Sequence, residues 1–395
     1  MTFAAIIPVL LTACSSSVFP GATPAASSAT PTLAIPAATS AAPTVGTASP
    51  SAPPTPTPIT ELSQVFRPLA TGWRPTGPTL VIAQQSDSGE ATLVAVPLGP
   101  TGRTGAPTPL VRLPTSGSWA LRSDGGAVVI GVSTAKGARL AIWDVPSGRA
   151  RWLTSDDAGG GSPIWSKDGS SIYYSGSTDD GRAGFFQIGA DGSGRKQVFT
   201  HERLGQIEGL TPDGKGLVWS RGQAGGSVDI VDLATGVNRQ LEGNARVASW
   251  RVLQPRLLLS VGGCCAGGPG GSLVAWDDVA MTSRVAAEIG QSGDPAWGMG
   301  AWEPSGSQIA AVRWQGTSPR ESDLVILDTR TGATRPLAGT MGVGRVDWMP
   351  EGIVFAITRT RQARFELMLF PSVGGSAVTL YEDAVYILRI DVIRP

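Results

Sequence analysis

This 395-residue chain has very little histidine, and it lacks the sequence motif that surrounds the catalytic serine of many hydrolases. Its only histidine is His201, and no serine stands at the centre of a Gly-x-Ser-x-Gly motif. A single imidazole excludes metal sites built from several histidines and mechanisms that need two imidazoles. The sequence also holds no nucleophile elbow of the α/β-hydrolase type. We therefore expect no catalytic residues, no metal and no cofactor, and we expect that the chain is not an enzyme.

Net charge is also absent, because 31 basic residues balance 31 acidic ones. A neutral chain has no general attraction to nucleic acid, so we expect no nucleic-acid partner. The charge is unevenly placed, since residues 1–60 contain no Asp, Glu, Lys or Arg. The remaining 335 residues exceed the size of one continuous hydrophobic core, which predicts either two domains or a modular array.

The first residues resemble an export signal. Phe3 to Leu11 form an apolar run that is too short to span a bilayer. The run ends in Leu11-Thr12-Ala13-Cys14, which resembles the lipobox of bacterial lipoproteins. The resemblance implies a signal peptide at residues 1–13 and acyl chains on Cys14 that hold an extracytoplasmic protein on the bacterial membrane. No Lys or Arg precedes the run, and an uncleaved hydrophobic tail is the alternative interpretation.

Residues 14–60 are expected to form a disordered tether. From Ser15 to Thr60, 38 of 46 residues are Pro, Ala, Ser or Thr, so too little apolar surface is available to offset the entropy of ordering. The ten prolines favour extended conformers of about 3 Å per residue. Such a segment holds the folded domain away from the lipid surface.

After residue 60, one sequence motif recurs along the chain. It consists of a tryptophan, a few polar residues, a glycine and then an apolar run. Copies begin at Trp73, Trp119, Trp165, Leu210, Trp250, Trp302 and Trp348, with spacings of 46, 46, 45, 40, 52 and 46 residues. Each copy continues with an alternating run such as Leu140-Ala-Ile-Trp143, which has strand length and composition. We found no segment of ten or more residues with convincing helical periodicity.

Three of these runs end in Asp, two residues, Ser or Thr, and Gly: Asp144 to Gly148, Asp232 to Gly236 and Asp328 to Gly332. An aspartate carboxylate accepts hydrogen bonds from turn amides, and glycine takes a positive φ, so each motif predicts a hairpin turn. Four antiparallel strands per copy, repeated seven times, predict an all-β, seven-bladed β-propeller over residues 61–395.

The copies resemble the TolB-like, WD40-like propeller repeats of bacterial envelope proteins. The resemblance is carried by Trp165-Ser-Lys-Asp-Gly-Ser-Ser-Ile, Thr211-Pro-Asp-Gly-Lys-Gly-Leu and Trp302-Glu-Pro-Ser-Gly-Ser-Gln-Ile. Arg389-Ile-Asp-Val392 repeats the pattern of Arg345-Val-Asp-Trp348. We therefore expect the C-terminal strand to close the ring by completing the blade that begins at Trp73. Alternatively residues 62–72 supply that strand, although Pro68 makes this less favourable.

The strand order of a propeller brings distant loops to one face, which we call the loop face. It carries the connections from the second to the third strand of each blade and from the fourth strand to the next blade. The candidate ligand residues predicted there are Asp156, Asp157, Asp179, Asp180, Arg182, His201, Glu202, Arg203, Asp294, Trp297, Arg320, Arg359, Arg361 and Arg364. We expect an acidic sector beside the third blade and a basic sector beside the sixth and seventh, which would make the surface bipolar. The alternative is that these are charged, solvated loops.

Several of these residues have individual expectations. His201 is expected to be a solvated loop residue, and Trp297, outside the repeat register, an exposed aromatic contact. The repeated tryptophans are expected to pack between blades. Cys264 and Cys265 lie in a glycine-rich segment and form either a strained vicinal disulfide or two thiols.

The function expected from these features is a monomeric, non-catalytic scaffold that binds an envelope protein, a peptide or a glycan. The alternative is an exported lyase or cyclotransferase that uses His201 with Glu202, Asp179 or Asp180.

Overall fold

Antiparallel β-strands form nearly all of the regular structure in the part of the chain that the computed structural model describes. The described residues are 61–85, 90–114, 118–134, 137–155, 159–178, 180–201, 205–221, 226–243, 245–248, 257–261, 272–277, 282–287, 296–314, 322–337, 340, 342–359, 364–384 and 386–394. Within them lies one short helix, α1 (Leu62–Val65), and no helix is long or apolar enough to cross a bilayer. The strands are numbered β1 to β30 in chain order.

Both ends of the described chain contribute to one sheet, which we call the closing sheet. It contains β1 (Arg67–Pro68), β2 (Thr79–Gln85), β3 (Ala91–Gly99), β4 (Gly102–Arg103), β5 (Thr108–Leu113) and the last strand, β30 (Tyr386–Ile393). The order is β1-β5-β3-β2-β30, and β4 pairs with β3. The C-terminal strand therefore pairs with the strand that follows Trp73, with Leu80 opposite Val392 and Ile82 opposite Ile390.

The other described strands form four-stranded blades, in each of which consecutive strands are neighbours. The first blade contains β6 (Ser118–Leu121), β7 (Ala127–Thr134), β8 (Gly137–Asp144) and β9 (Arg149–Trp152); the second β10 (Gly161–Trp165), β11 (Ser171–Ser177), β12 (Ala183–Gly189) and β13 (Lys196–His201); the third β14 (Gly205–Leu210), β15 (Gly216–Arg221), β16 (Ser227–Asp232) and β17 (Asn238–Gly243). The fourth contains β18 (Ala245–Val247), β19 (Leu257–Val261), β20 (Ser272–Asp277) and β21 (Thr282–Ala287); the fifth β22 (Ala296–Trp302), β23 (Gln308–Trp314), β24 (Ser322–Asp328) and β25 (Thr334–Pro336); the sixth β26 (Val343–Met349), β27 (Gly352–Arg359), β28 (Arg364–Pro371) and β29 (Val378–Ala384).

The prediction of seven four-stranded blades is wrong. The described residues form six such blades, and the sequence copy at Trp73 does not form a seventh of the same kind. Its strands belong instead to the six-stranded closing sheet. The difference arises because residues just before Trp73 add β1 outside β5, and a tight turn after β3 adds β4. Within residues 62–72, β1 thus pairs on the outer side of the sheet, and the inner position belongs to β30.

The hairpin turns follow the predicted chemistry. The Oδ1 atoms of Asp144, Asp232 and Asp328 accept hydrogen bonds from the third amide of each turn, at 2.9, 2.8 and 2.8 Å. The glycines that end these turns have φ values of 68°, 71° and 72°. An L-residue with a side chain rarely adopts this conformation, so the motif fixes both the length and the register of each hairpin.

Apolar side chains fill the seams between neighbouring sheets. One buried cluster joins the closing sheet to the first blade, another joins the first blade to the second, and a third joins the sixth blade to the closing sheet. The repeated tryptophans take part, as predicted: Trp119 and Trp302 are buried, and Trp165 Nε1 donates to the carbonyl of Ala120 in the preceding blade at 3.1 Å. Hydrophobic burial holds these seams together, and the seam between the first and second blades also has a specific hydrogen bond.

Two further contacts reinforce the closure. Arg394, just beyond β30, forms a bidentate ion pair with Glu351 of the sixth blade, at 2.9 and 2.6 Å. Tyr381 of the sixth blade donates its hydroxyl to Gln84 Oε1 of the closing sheet at 2.7 Å. At the other chain end, α1 places Val65 and Phe66 in the buried cluster of the first seam, with the Phe66 ring 6.4 Å from that of Trp143.

The turn between the first two strands of the second blade predicts a pH dependence of stability. Hydrogen bonds from Ser166, and then from the amide and hydroxyl of Ser170, lower the pKa of Asp168 to about 2. Its value in an unfolded chain is about 3.9. Because the folded-state pKa is depressed, this carboxylate stabilises the fold above about pH 4 and loses its contribution as the pH falls towards 2.

We therefore expect Asp168→Asn to reduce the urea midpoint at pH 5 and to have progressively less effect towards pH 2.5. The measurement is urea unfolding followed by tryptophan fluorescence across that range. A difference between the two proteins that stays constant with pH would contradict the assigned pKa.

Candidate functional site

A cleft of about 360 Å³ opens on the loop face where the first three blades meet. Within each blade, the second and fourth strands end at this face and the first and third strands begin there. The residues that line the cleft lie at or next to these strand ends. The lining residues are Gly137, Ala138, Gly159, Gly160, Gly161, Ser175, Gly176, Ser177, Ala183, His201 and Gly205. None of these side chains carries a fixed charge, so the cleft offers peptide groups, two serine hydroxyls and one imidazole.

Glycine is required at two positions of this lining because chains approach closely there. A Cβ atom on Gly160 would lie 2.6 Å from the backbone of Arg139 in the first blade. A Cβ atom on Gly205 would lie 2.4 Å from the ring of Trp219. Real Cβ atoms do not approach other atoms this closely. Gly160 therefore lets the connection between the first two blades pack against the backbone of β8, and Gly205 lets the start of β14 lie against the Trp219 ring of its own blade.

His201 is buried at the end of β13, with 8% of its surface exposed. Its ring centroid lies 4.6 Å from that of Phe185, 5.1 Å from that of Trp219 and 6.1 Å from that of Phe199. The expectation of a solvated loop residue is wrong, because β13 continues its pairing with β12 as far as His201, which lies opposite Ala183. The imidazole packs in the seam between the second and third blades and reaches the cleft from there.

The same seam contains a buried carboxylate. Asp229 of β16 is fully buried, and its Oδ2 accepts hydrogen bonds from Arg221 Nη2 at 2.5 Å and from Asn238 Nδ2 at 2.8 Å. Its Oδ1 accepts from the hydroxyl of Ser227 at 2.8 Å. The amide oxygen of Asn238 accepts from Trp219 Nε1 at 2.9 Å. A buried charge is stable only when it is paired and hydrogen-bonded, and here each partner also orients a neighbour.

Sequence reasoning missed this network, although one signal was present. Third strands of propeller blades are buried on both faces, and β16 reads Ser-Val-Asp-Ile-Val-Asp. A charged residue at the third position of such a strand has to be buried. Burial in turn requires a cationic or hydrogen-bonding partner, and Arg221 on the adjacent strand is one.

Asp180 and Arg182 lie together on the loop face, in the connection between β11 and β12. Both are exposed, and Arg182 Nε donates to Asp180 Oδ2 at 2.7 Å. A hydrogen bond from Thr178, followed by the interactions with Arg182, lowers the pKa of Asp180. The two charges neutralise each other in an exposed loop, where such a pair contributes little to stability.

Trp297 is not an exposed aromatic contact. Only 7% of its surface is exposed, and it belongs to the buried cluster between the fourth and fifth blades, with Trp302 and Leu258. The prediction is wrong because β22 begins at Ala296 and already pairs with β23 at Trp297. Its side chain therefore faces the neighbouring blade.

The remaining candidates cannot be placed on the face in the same way. Those outside the described residues are Asp156, Asp157, Asp179, Glu202, Arg203, Cys264, Cys265, Asp294, Arg320 and Arg361. The backbones of Arg359 and Arg364 pair with each other at the end of the β27–β28 hairpin. The side chains of the described residues contain no group of three His, Cys, Asp or Glu that could hold a metal ion.

No family model matches the chain, and no curated protein sequence is similar to it. Solved structures do match. TolB from Acinetobacter baumannii is 16% identical over 81% of this chain and 67% of its own, with a TM-score of 0.45. The β-propeller domain of the Trilobed protease from Pyrococcus furiosus, described as having an open velcro topology, is 14% identical over 77% of this chain and 94% of its own, with a TM-score of 0.51.

A puromycin hydrolase is also similar, with 18% identity over 77% of this chain and a TM-score of 0.54. Only 52% of the hydrolase is covered, so this chain spans about half of its length. At these identities the likeness establishes the fold alone. The chain has a β-propeller fold. The β-propeller fold does not by itself determine the activity, because one fold can carry many different functions.

The buried network predicts a large cost for removing its carboxylate. Asp229→Ala leaves Arg221 without its counter-charge and Ser227 and Asn238 without their acceptor, so we expect the free energy of unfolding to fall by about 2–3 kcal/mol. Urea unfolding measures the change. Asp180→Ala removes an exposed carboxylate of the neighbouring blade and should leave the stability nearly unchanged. Equal effects of the two substitutions would contradict the structural role of Asp229.

Proposed function

We propose that this protein is an extracytoplasmic binding scaffold that is held on the bacterial membrane through lipid on Cys14. Its propeller binds an envelope protein, peptide or glycan on the loop face. The observation that carries the proposal is the cleft where the first three blades meet. It lies on the face where strand order collects loops from different blades, beside a seam that a buried hydrogen-bond network keeps rigid.

The lining of the cleft supports this class of ligand. Six of its eleven residues are glycines, so peptide N–H and C=O groups are accessible beside the hydroxyls of Ser175 and Ser177. Extended polypeptides and sugars both present alternating donors and acceptors that match such a surface. A volume of about 360 Å³ falls within the range of small-ligand sites, which suits two or three residues of a longer partner.

Cross-linking from two faces tests the binding site. A photoreactive phenylalanine analogue is introduced at Ser177, on the rim of the cleft, or at Val237, an exposed residue in the β16–β17 connection on the opposite face. The full-length protein is then irradiated in its native envelope. We expect Ser177 to give a discrete cross-linked product that mass spectrometry identifies as a protein, peptide or glycan, and Val237 not to give it. The same products from both positions, or none from Ser177, would refute the proposed face.

An enzyme is the second candidate, because His201, the only histidine of the chain, lines the cleft. His201→Phe preserves an aromatic ring among Phe185, Phe199 and Trp219 but removes the imidazole. If the protein is a scaffold, the His201→Phe variant still gives the Ser177 cross-linked product and still complements a deletion strain. If the protein is an enzyme that uses the imidazole, the variant still gives the cross-linked product but does not complement the deletion strain.

The proposed anchor has a separate test. Cys14→Ser removes the sulfur that would carry the thioether-linked lipid, and one remaining hydrophobic segment of nine residues binds a membrane weakly. We expect the variant to lose metabolic labelling by a fatty-acid analogue and to move from the membrane fraction. Cys264→Ser is the matched control and should retain both properties. Labelling that survives Cys14→Ser would exclude this anchor.

A further inference from the structure

Arg221 lies next to a residue that lines the cleft, although it is not itself part of the lining. It is the last residue of β15, and its Cα partner on β14 is Gly205, which lines the cleft. Its guanidinium carbon lies 5.2 Å from the centroid of the Trp219 ring, and 37% of its side chain is exposed. The cation is therefore held over an aromatic ring while part of the side chain remains exposed to solvent.

Asp229, on the adjacent strand β16, holds the guanidinium of Arg221 in one orientation. The carboxylate is fully buried and uses Oδ2 for both Arg221 and Asn238, while Oδ1 accepts from Ser227. Among the hydrogen bonds of the described residues, Arg221 donates to Asp229 through Nη2. A side chain that would otherwise lose much conformational freedom on binding is thus already ordered.

Arg313 provides a comparison, because its guanidinium donates two hydrogen bonds to one carboxylate. Arg313 on β23 donates to its cross-strand partner Asp323 through both Nε, at 3.0 Å, and Nη2, at 2.5 Å. In contrast, Arg221 Nε is buried and has no hydrogen-bond partner in the described part of the chain. Buried donors are normally satisfied, so Nε of Arg221 lacks the carboxylate partner that Nε of Arg313 has.

We propose that Arg221 recognises a carboxylate of the ligand that occupies the cleft. This inference rests on the proposed function of the cleft and adds the chemical class of the ligand group. The planar guanidinium fork matches a carboxylate, and the aromatic ring of Trp219 holds the plane of the fork. Asp229 already supplies one negative charge to Arg221. A singly charged carboxylate therefore suits the site better than a doubly charged phosphate, which would meet stronger repulsion from Asp229.

Acetate is the simplest probe of this recognition. The full-length protein, labelled with ¹⁵N-arginine in detergent, is titrated with sodium acetate at constant ionic strength, and the arginine Nε–H signals are followed by NMR. The Arg221 and Arg313 signals are assigned by their loss in Arg221→Lys and Arg313→Lys. We expect a saturable shift of the Arg221 signal with acetate, a much smaller one with acetamide or phosphate, and none for Arg313. An unsaturable shift, or equal shifts for both arginines, would overturn the proposal.

The cross-linked product from Ser177 separates this inference from the proposed function. We expect Arg221→Gln to reduce the yield of that product at least tenfold and Arg313→Gln to leave it unchanged in equally folded protein. A product whose yield does not depend on Arg221 refutes carboxylate recognition and leaves the scaffold intact. If Ser177 gives no product although acetate binds Arg221, the scaffold proposal fails and the anion site stands.

Discussion

The pairing of β30 with β2 is the interaction on which the rest of the structure depends. It joins residues about 300 positions apart in the sequence, and it places the two described chain ends in one sheet. Without it the closing sheet would lose its innermost strand, and β2 would expose unpaired backbone groups. The seam between the sixth blade and the closing sheet would lose Ile390, the Arg394–Glu351 pair would be absent, and the blades would no longer be held in a ring.

Local pattern predicted most of the strands and turns, because each blade repeats the same few physical requirements. Tryptophan-to-glycine spacing marks the first hairpin, and the Asp-to-Gly motif determines the second through one carboxylate and one positive φ. The composition of the closing sheet was not predictable in this way. Strands β1 and β4 have two residues each, which is too few for a periodic pattern to reveal them in the sequence. The blade count failed for that reason.

The candidate site shows the same division between local and tertiary information. Strand order put His201 among the loop-face candidates, but its burial depends on three aromatic residues from three different strands. The pair of Arg221 and Asp229 is likewise formed between strands, and its binding potential follows from how Ser227 and Asn238 use the carboxylate. Sequence shows that a charge is buried; only the packed seam shows which hydrogen bonds remain available to a ligand.

The short segment before Trp73 determines how the propeller responds to tension. Any force applied to the chain before Glu61 reaches α1 and the two-residue strand β1 first, because they precede every other described element. The apolar contacts of Val65 and Phe66, the ion pair of Arg67 with Glu90 and a few hydrogen bonds to β5 resist it there. These contacts can be peeled off one after another while β2 and β30 stay paired. Tension on the chain before Glu61 would thus release several residues from the fold before the force acts on the ring of blades.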